Sequence, residues 1–155
     1  MDAPRLPSPS SAALAVQAAG EGARRFLERE WFGTPFHTMT IAGPRPDGLA
    51  ANPRDLRPVD LERGRKILGG VFDLAGAQLA VWPQGDPFDR ASPDRRFAVA
   101  LHRMDWLGDL LAAGDAGPKT GLRLIGDWRR VFGRWNGFSW GPDILERRVF
   151  NLACA

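Results

Sequence analysis

From Phe97 onward the apolar residues recur at a helical period, and this constrains the chain more than any other feature. Phe97, Leu101, Met104, Leu107 and Leu111 are spaced four, three, three and four apart, which places them on one helical stripe. Gly114 to Pro118 breaks that helix. Leu122, Ile125, Trp128 or Arg129, Phe132 and Trp135 repeat the spacing through a second helix. After the turn Asn136 to Gly141, Pro142 occupies a first helical position, and Ile144, Leu145, Val149 and Leu152 give the third helix its apolar face. No Gly or Pro stops this last helix. Three such stripes call for further helices to cover them, so the expectation is the opening portion of a larger helical protein, with short loops making neighbours antiparallel.

The first part of the chain has a different texture. Residues 2–9 are rich in Pro and small polar residues, which is a flexible leader. Ser10 or Ser11 can cap a helix that runs to about Trp31 and is ended by Gly33-Thr34-Pro35. Phe36 to Ile41 alternates Met39 and Ile41 with Thr38 and Thr40, the pattern of a short strand. Gly43 to Pro58 reads as loop. A short helix from about Val59 to Leu68 ends at Gly69-Gly70. Val71–Leu74 and Leu79–Trp82, around Ala75-Gly76-Ala77-Gln78, form a β-hairpin by pattern, and Pro83 to Pro93 is another loop. The division expected is therefore a leader at 1–9, a helix with short strands and loops at 10–93, and a helical segment at 94–155. The fold class is mainly α.

Composition removes several function classes. The formal charge is +3, and Arg supplies the basic residues except Lys66 and Lys119. Basic and acidic residues are interspersed, whereas a nucleic-acid surface needs a clustered stripe. A helical nucleic-acid binder using Arg129, Arg130 and Arg134 is thus the weakest reading. The single Cys154 allows no internal disulfide, and His37 and His102 stand apart with no Cys cluster, so neither a metal site nor a cofactor is expected. The run Ala12 to Val16 is too short for a signal peptide, and no later run is long enough to span a bilayer. Cytoplasmic placement, with no membrane partner, is the expectation.

The densest chemistry lies in Asp127 to Trp140. Trp offers a flat apolar face for a sugar ring, and Arg can grip a carboxylate with two hydrogen bonds. Trp128 and Trp135 fall on the apolar stripe and read as core. Arg134, Asn136 and Trp140 are left as candidate substrate-binding residues, although an Asn-Gly turn needs nothing beyond its backbone geometry. His102 and Arg103 are placed on the polar side of the stripe, and Asp105 and Asp109, at i and i+4, on a solvated face. No phosphate-binding glycine loop, nucleophile elbow or metal-binding motif is present.

Three segments together resemble the amino-terminal part of the bacterial heparinase II/III-like proteins. They are Glu62 to Gly76, Leu101-His-Arg-Met-Asp-Trp-Leu-Gly-Asp-Leu110, and Leu124-Ile-Gly-Asp-Trp128 continuing to Trp140-Gly-Pro-Asp-Ile-Leu-Glu-Arg-Arg-Val-Phe-Asn-Leu152. The resemblance implies the start of an incomplete α/α toroid, preceding a β-sandwich in a much longer protein. It also implies β-elimination on acidic, uronate-containing polysaccharide, with Tyr and His as proton-transfer groups. This chain contains no Tyr, and neither His lies on a matching stretch, so no catalytic residue is assigned. The expected function is an inactive opening fragment of such a lyase, completed by a missing carboxy-terminal part. The alternative is a non-catalytic carbohydrate-binding or interaction module.

Overall fold

The computed structural model describes residues 11–40, 42–44, 47–51, 53–82 and 85–155. The chain forms two compact units, Met1–Gly43 and Pro44–Ala155. Seven α-helices and one two-stranded antiparallel sheet occur among the described residues, so the mainly α class is correct. A toroid is not shown. No helix among the described residues is long and apolar enough to cross a membrane. The leader expected at 1–9 lies outside the described residues.

The first unit holds α1 (Ser11–Phe32) and α2 (Pro35–Thr40). The strand expected over 36–41 is corrected here, since 35–40 is helical; Ile41 lies outside the described residues. The cause is local. The Thr34 hydroxyl donates to the Trp31 carbonyl at 2.7 Å and accepts from the His37 N–H at 3.3 Å. One side chain therefore closes α1 and caps α2, with Pro35 preset for a first helical turn. Thr38 and Thr40, whose alternation suggested a strand, turn their hydroxyls back onto the carbonyls of Thr34 and His37.

In the second unit α3 (Leu61–Leu68) begins two residues later than expected, because the Asp60 carboxylate accepts from the Arg63 N–H and fixes the start. The hairpin is β1 (Val71–Leu74) with β2 (Ala77–Ala80), in register Val71 to Ala80 and Leu74 to Ala77. Its turn is the two residues Ala75-Gly76, both at positive φ, so β2 starts two residues earlier than Leu79. The expected loop 83–93 contains a 3-10 turn, Pro87–Asp89, capped by the Asp86 carboxylate.

The stripe from Phe97 to Leu111 folds as two helices rather than one, α4 (Arg95–Arg103) and α5 (Leu107–Leu111). Met104 takes a left-handed backbone with φ +58°, where its N–H still reaches the carbonyls of Ala100 and Leu101. The indole N–H of buried Trp106 then donates to the Leu101 carbonyl at 3.1 Å, which satisfies a helix-end acceptor inside the core. A strained non-glycine conformation persists because the Met104 and Trp106 side chains are both fully buried on either side of the bend.

Two glycines set how closely the helices approach. A Cβ on Gly64 of α3 would lie 2.2 Å from the Asp109 carbonyl oxygen. One on Gly117, in the first turn of α6 (Ala116–Phe132), would lie 2.1 Å from that of Leu110. α5 is thus gripped backbone-to-backbone from both sides. Ile67, Phe72, Leu74, Phe88, Phe97, Leu101 and Leu124 pack with its Leu107 and Leu110 as one core. Helix α7 (Pro142–Ala153) starts at Pro142, as expected, and packs against α4 and α5.

Candidate functional site

Helix α7 presents an unexpected inner face. Its buried residues are Ile144, Arg148 and Asn151, spaced four and three apart, while Val149 and Leu152 of the expected apolar face are exposed. The polar members are buried because other elements supply partners. The Arg148 guanidinium is 3% exposed and donates through Nη1 to the carbonyls of Ser139 at 2.7 Å and His102 at 3.4 Å. Its Cζ stands 4.1 Å from the Trp128 ring centroid and 5.1 Å from that of Trp140. Nη2 makes no hydrogen bond, so the attraction of the two indole faces is what offsets its lost hydration. Burial pushes the guanidinium down to about 10.

His102 lies at the centre of the same cluster. It is 5% exposed, which corrects its expected place on the polar side of α4. Its Nδ1 accepts from the Trp128 indole N–H at 3.0 Å, and its ring meets Phe132 and Phe138 edge-on at 4.4 and 5.4 Å between centroids. Burial, with the Arg148 charge beside it, pushes the imidazole down to about 4. His102 is therefore neutral at pH 7, with its acceptor nitrogen occupied inside the core. Asp109 is also corrected. Instead of facing solvent it is 4% exposed, accepting from the Asp60 N–H at 2.8 Å and pairing with Arg63 at 2.5 Å.

The three candidates from the 127–140 segment have these positions. Asn136 folds its own turn: Oδ1 accepts from the Phe138 and Ser139 N–H groups at 3.2 and 2.8 Å, and Nδ2 donates to the Ser139 hydroxyl at 2.6 Å. Trp140 is half-buried, donates its indole N–H to the Phe132 carbonyl at 2.8 Å, and leans on Trp128 at 5.8 Å. The Arg134 side chain is exposed. The aromatic faces of Trp128 and Trp140 are thus already engaged by an internal cation. Trp128 is core, as its spacing indicates.

The open part of the unit lies elsewhere, between the loop before α3 and helix α7. Arg57, Arg63, Arg103 and Arg147 line a groove of about 500 Å³ with Asp105, Asp143 and Glu146. The loop is tied to α7 through Arg57, which pairs with Asp55 and donates to the Asn151 Oδ1 at 2.5 Å. Asn151 Nδ2 in turn donates to the Arg103 carbonyl at 2.8 Å and to Asp105 at 3.1 Å. Hydrogen bonds from the Arg57 side chain and backbone hold the Asp55 carboxyl down at about 2. No short stretch of sequence marks this groove, because its residues come from positions 57 to 147. The buried inner face of α7, by contrast, had one local signal: Ile144, Arg148 and Asn151 share a helical stripe, and a polar pair on a packing stripe announces buried partners. No group of three or more His, Cys, Asp or Glu among the described residues is placed to hold a metal ion.

Comparison with known proteins gives a different direction from the lyase. No protein-family model matches the chain, and no solved structure matches it. It is 59% identical over 143 residues to the FtsZ-localized protein C of Caulobacter vibrioides (strain NA1000 / CB15N). That match covers 92% of this chain and 24% of the relative, so the chain spans about a quarter of the length of the curated relative it matches. The heparinase II/III-like assignment, the lyase function, the carbohydrate-binding alternative and the acidic-polysaccharide partner are corrected by this finding, since nothing in it points to a polysaccharide lyase. The physical reason for the error is visible in the fold. Leu101, His102, Trp106 and Leu107 are all buried, and Trp140, Arg148 and Asn151 are bonded to neighbouring elements around α7, so these residues of the segments that carried the resemblance are accounted for by packing. The relative's name instead points to a protein setting, the company of FtsZ.

Proposed function

We propose that this protein takes part in bacterial cell division in the cytoplasm, at sites occupied by FtsZ, as a binding module. The observation that carries the reading is the 59% identity over 143 residues to a protein named for its localisation with FtsZ. The geometry favours binding over catalysis. The buried His102 is neutral, with its acceptor nitrogen occupied in the core, and the guanidiniums of the open groove are engaged with carboxylates. Such a surface recognises a partner through charge and shape.

The test is localisation in cells. A fluorescent fusion of this chain should concentrate where labelled FtsZ concentrates, and should disperse when FtsZ is depleted. A fusion that stays evenly dispersed while FtsZ is assembled would refute the reading for this region.

A further inference from the structure

Helix α1 carries an uncovered apolar face. Val16, Ala19, Ala23, Leu27 and Trp31 follow one another at three, four, four and four residues, with Phe26 beside Leu27, so they lie on one side of the helix. Val16 is 74% exposed, Leu27 67%, Phe26 62% and Trp31 50%. Helix α2 does not cover them. It meets α1 through the edge-on contact of His37 with Phe32, ring centroids 4.9 Å apart, and Phe32 lies nine residues beyond Ala23, on the opposite side of the helix. No described side chain of α1 or α2 is buried. The first unit thus has no core of its own, and such a helix draws its stability from packing its apolar face.

We propose that this face is an interface between two copies of the chain, with their α1 helices packed antiparallel. Each of the four large side chains exposes roughly 100 Å². Two copies therefore bring on the order of 800 Å² together before alanines and rims are counted, and with them reach the ~1,200 Å² at which specific interfaces begin. The taper of the face sets the direction. Its amino-terminal half offers Ala15, Val16 and Ala19, and its carboxy-terminal half offers Phe26, Leu27 and Trp31. Antiparallel packing lays the large half of each helix on the small half of the other, whereas parallel packing sets ring against ring and leaves the alanines apart. Charge agrees with this direction. Ser11 to Gly20 holds no charged residue, and all the charges of α1 fall in its other half, which antiparallel pairing keeps apart from its own copy. An anionic membrane calls instead for a polar face rich in Lys and Arg. Here Arg24 pairs with Glu28 at 2.9 Å and Arg25 with Glu21 at 3.4 Å within the helix. A pair built this way uses the same face twice and closes on itself. The proposal does not depend on the division reading, and either can fail while the other stands.

The experiment is sedimentation equilibrium of the whole chain over a range of concentrations. The expected result is a monomer–dimer equilibrium. Leu27→Glu, at an exposed position, should raise the dissociation constant of the dimer roughly tenfold or more. Ala19→Phe should raise it too, although it makes the face more apolar, because the added ring meets Phe26 and Leu27 of the second copy. In a Cys154→Ser background, oxidation should cross-link Ala23→Cys, near the middle of the pair, faster than Val16→Cys or Trp31→Cys. A chain that stays monomeric at every concentration, or a dimer indifferent to Leu27→Glu, would overturn the proposal. So would tighter dimers from Ala19→Phe, the mark of unspecific adhesion, or equal cross-linking at the three positions, the mark of a parallel pair. Capture of a monomeric chain by anionic phospholipid vesicles, lost in Leu27→Glu, would assign the face to a membrane instead.

Discussion

Lowering the pH should unfold the second unit through His102, and the size of the effect follows from its surroundings. In the unfolded chain the imidazole titrates near 6.5, whereas burial against Trp128 and beside Arg148 holds it at about 4 in the folded protein. Between those values the unfolded state takes up a proton that the folded state refuses, so stability is complete above 6.5 and drains away as the pH falls toward 4. From pH 7 to pH 5 the loss is about 2 kcal/mol, and at lower pH it levels off at about 3 kcal/mol. For a unit of this size that is a fall of roughly 6–10 °C in melting temperature. Urea unfolding followed by circular dichroism at pH 7, 6 and 5 measures it. The decisive comparison is His102→Asn, whose side-chain oxygen can still accept from the Trp128 indole N–H but does not titrate. That variant should start less stable at pH 7 and lose much less between pH 7 and pH 5. An equal loss in both proteins would show that His102 is not the group that couples acid to unfolding.

Three further substitutions test single positions. Asp109→Ala leaves the Asp60 N–H and the Arg63 guanidinium without their buried acceptor, and should cost roughly 2–4 kcal/mol in urea unfolding at neutral pH. Gly117→Ala puts a Cβ 2.1 Å from the Leu110 carbonyl oxygen and should cost roughly 2 kcal/mol or more by thermal melting. Gly126→Ala, where nothing stands within 4 Å, should instead stabilise α6 by about 0.5–1 kcal/mol in the same assay.

Much of the helical scaffold is legible in the chain itself. Pro142 at a first helical position, Gly69-Gly70 after α3 and the apolar spacing through Trp128 each act over a few residues, and the structure places α7, α3 and α6 accordingly. The misreadings have local causes as well. The Thr34 hydroxyl and Pro35 impose a helical turn on an alternating sequence. The indole of Trp106, reaching back to Leu101, bends one amphipathic stripe into α4 and α5. The candidate groove was not legible, because Arg57, Arg103 and Arg147 meet only after the loop and α7 close on each other.

Local pattern is enough for a mainly helical chain with a small hairpin, and apolar periodicity marks Trp128 and Leu101 as core. Which polar groups go inside is set by packing between elements. A pattern of apolar residues treats every His, Asp, Arg and Asn as solvent-facing, because burying such a group alone is costly. The cost disappears only when partners arrive, and here they come from outside the residue's own helix: Trp128 for His102, Ser139 with two indoles for Arg148, and Asp60 with Arg63 for Asp109.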